Sequence, residues 1–349
     1  METGETFSLT GSGKPNGHDK QAPPSVSREA NDRGARRHLE GDLDGARAEY
    51  LTALEQDPDN ATTHNNLGFL LAQEGKWDEA VSHYERALQI DPHRSMAMAN
   101  MALARVAQGS DDAGVEWLRR AVEADSRNVL AWDNLSRLLL KMNRLTEAEA
   151  AARTTIELSP HEGRFYLTLG LAVAAQQRLT EAGEVLKRAV QLDANSASAW
   201  EQLGVILMLR QDLGSATDAL RRAIALAPED ASARYHLAMV LLAKSEREEA
   251  TKELHTILAL QPKHIPAQLD LAVLAISGGD WQLALNRLEV VLLGDAANSR
   301  ALFYMAVVLD RLRRTAEATD ILNSLASGDF GKYTERAQQY LQERDQPKN

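Results

Sequence analysis

Hydrophobic and polar positions over residues 61–94 alternate with helical spacing in two separate runs. Leu67, Leu70 and Leu71 share one face before Gly75 interrupts. Ala80, Tyr84, Ala87 and Leu88 then resume the spacing until Pro92 stops it. This predicts two amphipathic helices joined by a tight turn. The pattern returns every 34 residues from Ser27 to residue 332, nine times without insertion or deletion. The twentieth place of the unit reads Ala46, Ala80, Gly114, Ala148, Ala182, Ala216, Ala250, Ala284 and Ala318. The seventh is Leu or Met from the second unit onward, and the eighth is always Gly, Ala or Ser. A fixed period of this length predicts an all-α stack in which each unit packs on its neighbours.

The punctuation agrees. Gly41, Gly75, Gly109, Asn143 and Gly279 occupy the place between the two helices, where a left-handed backbone is expected. Pro58, Pro92, Pro160, Pro228 and Pro262 close five second helices. Asn60, Asn128, Ser196, Asp230 and Asn298 follow two residues later and can cap the next helix. The small eighth and twentieth places predict close helix approach. His64, Trp132, Tyr166 and Trp200 at the fourth place, with Trp77 and Trp281 at the seventeenth, are expected to fill the core between them.

These residues together resemble the tetratricopeptide repeat. The likeness is strongest in the second, fourth, fifth and sixth units and looser in the first, third and last two. It implies a right-handed superhelical solenoid of helix-turn-helix repeats. The expected division is a disordered tail over 1–26, nine repeats over 27–331, and a capping helix with a short tail over 332–349. Arg33 and Arg37 replace apolar residues in the first unit, as suits a solvent-facing end. At the other end Tyr333, Ala337, Tyr340 and Leu341 form one face of a helix whose other faces are polar.

Composition narrows the function. The chain carries a formal charge of −11, which argues against a nucleic-acid partner. It has no cysteine, so thiolate metal sites and disulfides are excluded. No stretch is long and apolar enough to span a membrane, and the first residues lack a secretory pattern. GSGKP at 11–15 lacks the spacing of a phosphate loop, and DFG at 329–331 has no kinase context. The histidines make no metal motif. No catalytic residue, cofactor or metal is expected, and the chain reads as a cytoplasmic bacterial binding protein rather than an enzyme.

In the family that the chain resembles, first helices line a concave groove, and places two, five, six, nine, twelve and thirteen look inward. The sixth place includes Asn66, Asn100, Asn134, Gln202, His236, Asp270 and Tyr304. Asn66, Asn100 and Asn134 form a ladder similar to the asparagine-lined groove of O-linked N-acetylglucosamine transferase repeats. Two roles are open to such amides: pairing with a peptide main chain, or holding adjacent units together. The ninth place reads Phe69, Leu103, Arg137, Leu171, Val205, Met239, Val273 and Val307. The basic clamp of chaperone-binding members is missing. With Tyr235, Leu269, Phe303 and Tyr304, the C-terminal half is the more apolar and aromatic. These residues predict an adaptor holding a peptide or helix of a partner protein in the groove. The alternatives are a recruitment or regulatory subunit of an enzyme assembly, such as a glycosyltransferase or biosynthetic complex, or a secretion or pilus assembly factor.

Overall fold

A computed structural model describes residues 26–345. Of the expected tail, Val26 begins the first helix, and residues 1–25, with the GSGKP segment, lie outside the described residues, as do 346–349. The described residues form helices in pairs. The first five pairs are α1 (Val26–Leu39) with α2 (Leu43–Gln56), α3 (Ala61–Gln73) with α4 (Trp77–Ile90), α5 (Ser95–Ala107) with α6 (Asp111–Ala124), α7 (Val129–Lys141) with α8 (Leu145–Leu158), and α9 (Gly163–Ala175) with α10 (Leu179–Leu192). Four more follow: α11 (Ala197–Leu209) with α12 (Leu213–Leu226), α13 (Ala231–Ala243) with α14 (Arg247–Leu260), α15 (Ile265–Gly278) with α16 (Trp281–Gly294), and α17 (Ser299–Arg311) with α18 (Thr315–Ser327). A last helix, α19 (Lys332–Asp345), ends the described chain. The chain separates into two compact units, one ending at Ala194 and one beginning at Asn195. Within each unit the helices of a pair pack on each other, and each second helix packs on the next first helix.

The turn between paired helices is left-handed in all nine repeats. Gly41, Gly75, Gly109, Asn143 and Gly279 adopt positive φ, but so do Gln177, Gln211, Ser245 and Arg313. Stack geometry therefore imposes this conformation where the side chain disfavours it. All five expected caps form, each side-chain oxygen accepting a backbone N–H of the helix it precedes. His264 does the same through Nδ1.

Close approach explains the small places. All eight alanines at the twentieth place are fully buried. A Cβ added to Gly68 would lie 2.7 Å from the Tyr84 ring, sixteen residues on in the same pair. Where the eighth place is Ser136, the residue sixteen on shrinks to Ala152, so volume is conserved across the contact.

The aromatics at the fourth place depart from expectation. His64, Trp132, Tyr166 and Trp200 are half-buried rather than core, as are Trp77 and Trp281. For Trp132 and Tyr166 the polar tip explains this. Trp132 donates to the Ser126 carbonyl at 3.0 Å and Tyr166 to the Pro160 carbonyl at 3.1 Å. An amphipathic ring here covers the repeat junction while satisfying its turn. Arg234 and Gln268 at the same place donate to the Pro228 and Pro262 carbonyls.

Candidate functional site

First helices of successive repeats lie side by side within each unit, and their common face carries the candidate residues. The fifth place is largely buried, which corrects the expectation that it looks into a groove. It lies against the sixth place of the following repeat. Asn66 donates to Asn31 at 3.1 Å, and Asn100 to Asn65 at 3.0 Å, each across 35 residues. Two rungs of the asparagine ladder therefore tie repeats together. Asn134 is different: the corresponding residue before it is Ala99, which offers no side-chain acceptor.

The unit beginning at Asn195 uses the same link with ionisable groups. His236 Nδ1 lies 3.0 Å from Glu201 Oε1, and Ser232 also donates to that carboxylate. Burial pushes the Glu201 carboxyl up, but these hydrogen bonds outweigh it and hold it below its usual value. Tyr235 donates to Asp270 at 2.7 Å, and Arg300 binds the other oxygen at 2.9 Å. Asp270 is thus a buried acceptor with both carboxylate oxygens hydrogen-bonded within the chain. Burial and the Asp270 carboxylate together raise the Tyr235 hydroxyl above its ordinary range.

Two of the aromatic residues expected to anchor a ligand are buried. Phe303 is only 6% exposed, because α19 covers it: Tyr333 and Tyr340 pack on its ring and Arg336 lies 4.8 Å from its centroid. Phe69 is 5% exposed, with its ring 5.5 Å from that of His38. Leu269 is buried too. Tyr304 stays half-buried at the edge of Phe303, with Arg300 beside its ring.

What remains accessible is the ninth place and its neighbours. Leu103, Val205, Met239, Val273 and Val307 are half-buried, and Gln202 is half-buried beside them in sequence. Leu209 is 52% exposed at the end of α11. In the unit ending at Ala194 this row is interrupted by exposed Arg137. The nearby Asp133 carboxyl is raised by burial, against the opposing pull of Arg137 and Arg164. Sequence reading left the amide links open as one of two roles and missed the ionisable ones. Their signal was available as complementary polar residues 35 apart at the fifth and sixth places. Among the described residues no His, Asp and Glu side chains gather in threes as for a metal ion, and no helix is long and apolar enough to cross a membrane.

Comparison with known proteins decides the family. Descriptions of the tetratricopeptide repeat match residues 34–74, 61–94, 134–199 and 207–275, together more than half of the chain. The chain belongs to the tetratricopeptide-repeat family. Its fold is shared with solved structures of low identity. The APC/C hetero-tetramer Cut9–Hcn1 aligns with TM-score 0.58 and 16% identity over 76% of this chain and 52% of that one. The pilF protein of Pseudomonas aeruginosa aligns with TM-score 0.53 and 21% identity over 58% and 92%. YrrB, a tetratricopeptide-repeat protein with an unusual peptide-binding site, aligns with TM-score 0.45 and 21% identity over 53% and 95%. No protein of curated function matches the chain. As a tetratricopeptide-repeat chain it is a protein-interaction scaffold, a class that is in general non-catalytic.

Proposed function

We propose that the chain is a non-enzymatic adaptor whose first-helix face binds a peptide or helix of a partner protein. The observation that carries this reading is the row Val205, Met239, Val273 and Val307, half-buried at one repeated place. Met239 and Val307 pack in part against the core of their own repeats, and the apolar surface the row leaves half-exposed is what an amphipathic helix or extended segment would bury its anchors against. The asparagines take a smaller part than their spacing suggests. Asn66 and Asn100 hold repeats together. Tyr304, Gln202 and His236 flank the apolar row. The high ratio of arginine to lysine and the lack of cysteine support a cytoplasmic bacterial setting.

The test is site-specific photo-crosslinking in cells of the source organism. A photoreactive residue at Met239 or Val273 is expected to capture one partner reproducibly, and the same residue at exposed Glu249 on a second helix is not. Capture of that partner from Glu249 and not from Met239 or Val273 would reject the first-helix face.

A further inference from the structure

Equivalent places in different repeats hold the same position in the fold, so one repeat can be compared with another. A cleft of about 400 Å³ lies between α8 and the two helices of the fifth repeat, α9 and α10. Ile156, Leu169 and Val185 form its apolar floor, and Tyr166, Arg153 and Arg188 stand at its rim. Sixty-eight residues earlier, two repeats back, the equivalent floor residues are Leu88, Met101 and Trp117. There Trp117 packs against the core clusters that hold Met98, Met101 and Leu88. The Arg120 guanidinium lies 4.0 Å from its ring centroid.

In the fifth repeat Val185 stands in place of the indole, and Arg188 stands in place of Arg120 with no ring to cover. Arg188 donates instead to Gln191 at 3.4 Å, a long contact within its own helix. The fourth and sixth repeats also have a small residue here, Ala151 and Ala219. Each has a tryptophan at the fourth place, Trp132 and Trp200. The fifth repeat has Tyr166 there, and so carries no indole at either place. The third, fourth and sixth repeats each carry one, and the second, seventh and eighth fill the two places with a bonded pair, His64 with His83, Arg234 with Glu253 and Gln268 with Arg287.

We propose that this cleft is a docking site for a tryptophan side chain of a partner protein. The incoming indole takes the place that Trp117 fills in the third repeat, resting on Ile156, Leu169 and Val185. The Arg188 guanidinium closes over its face, as Arg120 does over Trp117. The site lies on second helices and their junction, apart from the first-helix face, so it is a second contact and does not depend on the function proposed above.

The test is a titration of the full-length protein with free indole, followed through the methyl resonances of labelled isoleucine and methionine. Ile156 is expected to shift saturably in the wild type. In Val185→Trp, which copies the third repeat, Ile156 should be shifted before indole is added and should not respond to it. Arg188→Ala should weaken indole binding roughly two- to five-fold, the loss of one exposed cation–π contact. The converse variant keeps the idea testable if Val185→Trp fails to fold: Trp117→Val should open the same cleft in the third repeat, and Met98 and Met101 should then respond to indole. No saturable shift of Ile156 in the wild type, an equal titration in folded Val185→Trp, or tighter binding of p-cresol than of indole would overturn the proposal.

Discussion

The first-helix faces of the two units make the same connection with different chemistry. In the unit ending at Ala194, neutral amides join repeats, Asn66 to Asn31 and Asn100 to Asn65. In the unit beginning at Asn195, His236 meets Glu201, and Asp270 receives both Tyr235 and Arg300. Repeat geometry decides which side chains meet across 35 residues. It does not decide whether the meeting is an amide pair or an ionisable one. The residues left over also differ. Arg137 interrupts the ninth-place row in one unit, while the other keeps an unbroken row from Val205 to Val307. One face is tied by groups that do not titrate and is broken by charge. The other is tied by ionisable groups and keeps its ninth-place row apolar.

The largest effect expected is confined to the second unit. Tyr333→Ala should remove the ring that covers Phe303 and cost roughly 3–5 kcal/mol, as for a buried aromatic truncated to alanine. Amide hydrogen exchange, resolved by peptide, should show lost protection over 195–345 and none over 26–194. An equal loss in both would mean that the two units unfold together.

Acid should separate the faces next. Because the folded Glu201 carboxyl lies below its unfolded value, its contribution is present above the unfolded pKa and is lost as pH falls through the folded one. Glu201→Gln should cost about 1.5 kcal/mol near neutral pH, the scale of hydrogen bonds to a charged group. Unfolding midpoints of variant and wild type should converge as pH falls below about 4. A difference that persists unchanged in acid would show that the ionised carboxylate is not what holds this junction.

The smallest effect belongs to the amides. Asn100→Ala should cost about 1 kcal/mol, measured by urea unfolding, and that cost should be the same at both pH values. A cost that fades in acid would erase the contrast between neutral and titrating junctions.

Much of the fold was legible because it rests on local rules repeated nine times. Spacing showed the helix pairs, Pro58 and its equivalents showed where they end, and Asn60 and its equivalents showed the caps. The left-handed turn was legible at Gly41, Gly75, Gly109, Asn143 and Gly279 but not at Gln177, Gln211, Ser245 or Arg313, where packing overrides residue preference. The site was less legible, since a groove residue and a junction residue share the same period. Asn66 and Asp270 look alike as inward polar residues until their partners are placed. Phe303 read as an anchor because nothing local marks the ring that α19 lays over it. The aromatics at the fourth place read as core because recurrence signals a shared role without saying whether the role is burial or capping a turn.

The central claim is that the apolar row of the second unit, and not the amide junctions of the first, holds the partner. It is tested most directly by calorimetry with the partner captured by crosslinking, using proteins whose folding is checked by circular dichroism. Met239→Ala with Val273→Ala should weaken binding roughly ten- to a hundred-fold, the scale of two partly buried apolar side chains. Asn66→Ala with Asn100→Ala should leave the affinity within about two-fold, because those amides are already engaged within the chain. Wild-type affinity in the apolar pair together with lost affinity in the amide pair would contradict the account.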